Sequence, residues 1–99
     1  SVDVSSIDGN MPLETKLEQN YPNPFNPTTA INFSLATAGN VQMNVYNFSG
    51  QLVNSLVDGQ MSAGYHTVNF DASNLSAGVY YYTLEADNKV MTNKMVLVK

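Results

Sequence analysis

Leu75-Ser76-Ala77-Gly78-Val79-Tyr80-Tyr81-Tyr82-Thr83-Leu84-Glu85-Ala86 is the stretch that decides the fold. A Ser-Ala-Gly turn runs straight into Val79–Ala86, rich in β-branched and aromatic residues that fit a pleated surface. Side chains alternate along a strand, so Tyr80 and Tyr82 share one face and Tyr81 takes the other. The next residues, Asp87-Asn88, suit a tight hairpin turn, and Val90–Val98 reads as the strand that returns from it.

The period of two continues upstream. Ile31, Phe33 and Leu35 alternate with Asn32 and Ser34; Val41, Met43 and Val45 alternate with Gln42 and Asn44. Both runs read as half-buried strands. Gln51–Val57 is a further strand with weaker alternation, and Val68 and Phe70 mark another over Tyr65–Phe70. Turn residues fill the breaks: Ala38-Gly39-Asn40, Ser49-Gly50, Asp58-Gly59, Ala63-Gly64 and Ser76-Ala77-Gly78. With a short segment at Leu17 this makes about seven short strands and no helix. The expected fold is all-β, an immunoglobulin-like antiparallel β-sandwich. Leu75–Tyr80 resembles the tyrosine corner of such sandwiches, in which a Tyr at a strand start turns its hydroxyl back onto the backbone just upstream.

Leu17-Glu18-Gln19-Asn20-Tyr21-Pro22-Asn23-Pro24-Phe25-Asn26-Pro27 obeys other rules. Its three prolines fix φ and remove three N–H donors. Each also pushes the residue before it toward extended backbone. The segment is expected to run polyproline-like, with Tyr21 and Phe25 as apolar anchors. Residues 1–11 are polar, and Val2, Val4 and Ile7 keep no sustained period, so they read as a linker ahead of a domain over 12–99. An edge strand through Val2 and Val4 is the alternative. Extended, eleven residues reach about 36–40 Å.

Composition removes several functions. The 99 residues hold 4 Lys, no Arg and 8 Asp+Glu, for a net charge of -4. Nucleic acid is bound chiefly by Lys and Arg neutralising phosphates, so no nucleic-acid partner is expected. The same deficit argues against anionic membrane surfaces. No apolar run approaches the ~18 residues of a spanning helix, so no membrane insertion is expected. The chain has no Cys, which removes disulfides, thiolate catalysis and Cys-bound zinc. It opens with no basic, apolar leader, so an exported protein would contain this chain as part of something longer.

Catalytic chemistry is equally thin. His66, the single His, falls within a strand on the face of Val68 and Phe70 and reads as structural. No nucleophile-elbow signature is present, and the scattered acids form no glycosidase pair. Asp71, between Asn69 and Asn74, reads as a turn cap; its oxygens suit calcium but the ligands are too few. Neither a metal nor a cofactor is expected. Tyr81 could meet a sugar ring, but no Trp accompanies it. Asn32-Phe33-Ser34, Asn47-Phe48-Ser49 and Asn74-Leu75-Ser76 match the N-glycosylation triplet by chance in so Asn/Ser-rich a chain.

One pattern spans most of the chain. Met11-Pro12-Leu13, then Leu17–Thr29 with its Asn20-Tyr21-Pro22-Asn23-Pro24-Phe25-Asn26-Pro27 string, resembles the opening of type A C-terminal sorting domains of type IX secretion substrates. The likeness continues through Gly39-Asn40-Val41, Val45-Tyr46-Asn47, Ser49–Val53 and Ala63–His66. Leu75–Tyr82 is similar to the family's Gly-x-Tyr region, here Gly78 and Tyr80. Lys94-Met95-Val96-Leu97-Val98-Lys99 is similar to its basic-apolar-basic terminus. The resemblance implies a non-enzymatic immunoglobulin-like domain of an exported bacterial protein of the Bacteroidetes type. It implies as partners the type IX translocon, an outer-membrane shuttle protein, a surface sortase and an upstream cargo domain. The route runs through the periplasm to the outer-membrane surface or the medium. Gly78, Tyr80 and Lys94–Lys99 are then the sorting-signal residues, and the linker over 1–11 is the place for cleavage, because a protease needs extended, accessible backbone.

The last strand has at least one possible free edge, which could pair with a partner's strand or a second copy of the chain. Lys94 and Lys99 on it also guard against unwanted pairing. A carbohydrate-binding module or a fibronectin-like spacer of a secreted enzyme remains the alternative.

Overall fold

The computed structural model describes residues 14–99. Seven strands follow in chain order: β1 (Lys16–Leu17), β2 (Thr28–Leu35), β3 (Gly39–Asn47), β4 (Leu52–Met61), β5 (Gly64–Asp71), β6 (Gly78–Ala86) and β7 (Lys89–Leu97). They form two antiparallel sheets, one in the order β1-β2-β5 and one in the order β4-β3-β6-β7. This is the immunoglobulin-like division of a sandwich. Alternate residues of both sheets meet in one core. Ile31, Phe33 and Phe70 face Val41, Met43, Val45, Tyr82, Leu84, Met95 and Leu97, all at most 1% exposed.

The hairpin at Asp87-Asn88 is as expected. Both residues have positive φ, 56° and 59°, the pattern of a two-residue turn matched to strand twist, and Ala86 pairs with Lys89 across it. Tyr80 and Tyr82 point into the core and Tyr81 points out.

Three expectations are corrected. Asp58-Gly59 is not a break: β4 runs through it to Met61, with Gly59 at φ 155°, a conformation open to Gly but rarely to other residues. Two register shifts between β3 and β4 explain the weak alternation there. Each bulge resets which side chains turn inward, so the neighbours Leu56 and Val57 both pack on the core. Second, the proline segment is not a polyproline-like run. The chain bends at Pro22–Pro24 and again at Asn26-Pro27, and it crosses from one sheet to the other. Third, Tyr21 is no anchor: it is 79% exposed, whereas Phe25 is 1% exposed.

Candidate functional site

Tyr21 exchanges both backbone hydrogen bonds with Ala30 of β2, each 2.9 Å. Four residues later Phe25 does the same with the other sheet. Its N–H donates to the Val96 carbonyl and its own carbonyl accepts from the Val98 N–H, both at 2.9 Å. The Phe25 ring closes the end of the core and meets Phe70 at 6.2 Å between centroids. One short segment therefore joins both sheets along the flank that β7 borders.

Side chains of the same segment complete the seam. The Val96 N–H donates to Asn23 Oδ1 at 3.0 Å. Gln19 Nε2 donates to the Lys94 carbonyl at 2.7 Å, and Asn93 Nδ2 to the Glu18 carbonyl at 3.1 Å. The expected free edge of the last strand is thus occupied from Lys94 to Val98. β4 and β5 are outer strands as well, on the side of each sheet away from this seam.

Prolines suit this role because they leave no N–H to satisfy while their carbonyls still accept. Pro22 O accepts from Asn20 Nδ2 at 3.1 Å and Thr29 Oγ1 at 2.9 Å; Pro27 O accepts from the Ala72 N–H at 2.8 Å. Asn20 and Thr29 are buried, and Asn20 Nδ2 also donates to Thr29 Oγ1 at 3.0 Å. A buried amide needs this full complement of partners.

Tyr82 holds the segment from beneath. Its hydroxyl donates to the Glu18 carbonyl and accepts from the Asn20 N–H, both at 2.8 Å, with Asn93 Nδ2 at 3.3 Å. Burial raises its pKa above the ordinary 10.0, outweighing the lowering by Asn93 and Asn20; the Glu18 charge raises it further.

The residues singled out in the sequence separate into two groups. Asn23 and Phe25 meet Val96 and Val98 in this seam, while Asn20, Tyr21 and Pro22 bind the segment to Tyr82, Ala30 and Thr29. Gly78 and Tyr80, where β6 begins, make none of the seam bonds but pair across the strands with Leu97 and Met95. Tyr80 is buried, and its hydroxyl donates to the Ser76 carbonyl at 2.6 Å, the tyrosine corner as expected. Gly78, at φ 152°, occupies a conformation that side chains rarely adopt. Met95 and Leu97 are core residues, Lys94, Val98 and Lys99 are exposed, and Val96 is half-buried. Gln19, Thr29, Tyr82 and Asn93 were not singled out. One signal pointed to Tyr82: the two-residue period turns it inward, and a buried phenol needs a partner.

The other candidates are structural. The His66 ring stacks on Phe33 at 5.3 Å, and its Nε2 lies 2.8 Å from the Ser62 carbonyl. Asp71 Oδ1 accepts from the Ser73 hydroxyl at 2.7 Å and amide at 2.9 Å, and these bonds lower its pKa below 3.8. Among the described residues no three His, Asp or Glu gather to hold a metal, and no helix is long and apolar enough to cross a membrane.

Residues 19–99 match the family model of the secretion system C-terminal sorting domain. The chain belongs to this family. Its match begins at Gln19, the first side chain bonded to the last strand, and runs through Lys99. The sorting domain carries a signal, not a catalytic site, and its family places the protein it ends among those exported to the cell surface or beyond by type IX secretion. The crystal structure of the Ig1 domain of mouse SynCAM 2 aligns over 87% of this chain and 94% of its own, at 14% identity and a TM-score of 0.44. No curated protein matches the chain.

Proposed function

We propose that this sorting domain is presented to the type IX apparatus as a folded composite, in which the proline segment holds the last strand in one fixed conformation. The observation that supports this is the seam itself: Asn23 and Phe25 bond Val96 and Val98, and Gln19 bonds Lys94. Lys94, Val96, Val98 and Lys99 are the residues offered to the apparatus. Met95, Leu97, Gly78 and Tyr80 hold them in place. An upstream cargo crosses the periplasm, an outer-membrane shuttle protein takes up the domain at the translocon, and a surface sortase cuts within residues 1–11.

The test is export of a fluorescent reporter fused ahead of residues 1–99, in a bacterium with a working type IX system and in the same strain with the translocon disabled. The expected result is reporter at the surface or in the medium only when the translocon works, with a released mass that places the cut in residues 1–11. Retention in the periplasm of a folded fusion overturns the proposal. Lys94→Ser and Lys99→Ser change the signal without emptying the core, which a truncation of 94–99 would do.

A further inference from the structure

Strand register lays out rows across the outer face of the four-stranded sheet. One row is Leu52–Tyr46–Tyr81–Lys94, and Val79–Val96 lies beside it. The rows farther along are mainly polar: Ser55–Asn44–Thr83–Thr92, then Asp58–Gln42–Glu85–Val90, in which the exposed Val90 at the sheet edge is the one apolar residue. One end of this face is therefore apolar and aromatic. Leu52 is 58% exposed there, and Phe48, in the hairpin leading to it, is 75% exposed. Charge divides the same way, with Lys94 in the apolar end and Asp58 and Glu85 in the polar one. A contiguous apolar patch on a small domain marks an interaction surface.

We propose that the secretion apparatus docks on this end of the sheet, through a protein surface that is apolar at its centre and carries carboxylates opposite Lys94. The proposal rests on the export reading above and names its contact face. Tyr46 and Tyr81 offer broad, rigid contact area that orders at low entropic cost, the property of interface anchors. Lys94 attracts an acidic rim, while Asp58 and Glu85 repel the same rim if it docks too far along, which fixes the register. Lys94 and Val96 belong both to this face and to the terminal stretch. Recognition of the terminus is thus recognition of a sheet surface, to which β3 and β4 contribute Tyr46 and Leu52 from outside it.

The reporter export assay decides between the two ends of the face. Leu52→Ser/Tyr81→Ser should cut surface reporter about 10-fold or more, as loss of interface anchors does. Lys94→Glu should lower it further than Lys94→Ser. Gln42→Ala and Thr92→Ala, at the polar end, should export as the parent does. Thermal unfolding of each purified chain checks the fold. If Tyr81→Ser melts early, Leu52→Ser alone, on the exposed edge strand, carries the decision. Patch variants that remain folded and export at the parent level overturn this docking face while leaving the export reading intact. A parent chain that shows no translocon-dependent export overturns both.

Discussion

Tyr80 and Tyr82 lie two residues apart on one face of β6, both out of solvent, yet their hydroxyls hold different things together. Tyr80 donates to Ser76, four residues away, and closes a local corner. Tyr82 donates to Glu18, 64 residues away, and fastens the proline segment to the sheet. The same side chain thus serves turn geometry in one case and the assembly of chain ends in the other. Only the second use links two separate stretches of the sorting-family pattern, Leu17–Thr29 and Leu75–Tyr82.

The largest test of this contrast removes what Tyr82 helps to hold. Phe25→Ala empties a core position and should cost about 3–5 kcal/mol. The 86 described residues should be worth roughly 4–13 kcal/mol in all, at ~0.05–0.15 per residue, so the loss takes from about a quarter to all of it. In urea the midpoint should fall steeply, and the amides of Val96 and Val98 should exchange faster even where the domain stays folded. Protection of both amides at the parent level would mean that the segment is not what secures the last strand.

A finer test sets the two tyrosines against each other. Tyr82→Phe leaves the Asn20 N–H buried without an acceptor and should cost about 1–3 kcal/mol. Tyr80→Phe frees a carbonyl on the exposed Ser76, which water can reach, and should cost about 0.5–1.5 kcal/mol. At ~4–8 °C per kcal/mol the difference is readable in melting temperature. Equal losses would erase the distinction between local and long-range roles. Coupling should appear between Tyr82→Phe and Asn93→Ala but not between Tyr80→Phe and Asn93→Ala.

The same contrast explains what could be read in the sequence. The corner, the Asp87-Asn88 hairpin and the inward faces of β2, β3 and β6 depend on residues a few positions apart, and all were legible. The choice between Tyr21 and Phe25 as anchor was not, because it depends on Val96 and Val98 some 70 residues away. β4 was only half legible, since its bulges are set by pairing with β3. Of the two stretches that form the candidate site, one stood out by its prolines and the other by its resemblance to the sorting family's terminus. Their meeting did not, although the inward-facing Tyr82 required a partner from somewhere.

Ionisation gives a smaller effect with a fixed sign. Because the pKa of Tyr82 is raised in the native state, its contribution is complete below the ordinary tyrosine value of 10.0 and is lost as pH rises through the higher native value. Stability of the parent should therefore carry an alkaline decline that Tyr82→Phe lacks. Denaturant midpoints followed into the alkaline range check this; identical declines in both chains would assign the loss to other groups.

Asp71 is the mirror case and the smallest effect. Its carboxylate is fully exposed, and the bonds from the Ser73 hydroxyl and amide are local, as the Tyr80 corner is local. A depressed native pKa means that its contribution is present above the ordinary value of 3.8 and is lost as pH falls through the lower native one. Asp71→Asn keeps an oxygen acceptor but removes the charge, so it should melt slightly below the parent at neutral pH and converge with it in acid. Ser73→Ala removes one of the two donors and should leave part of the acid dependence behind. If the seam were weakened by either change, exchange at Val96 and Val98 would rise. The expectation is that it does not, because the Asp71–Ser73 bonds share no partner with the Tyr82 network and both variants keep the backbone bond from Ala72 to Pro27.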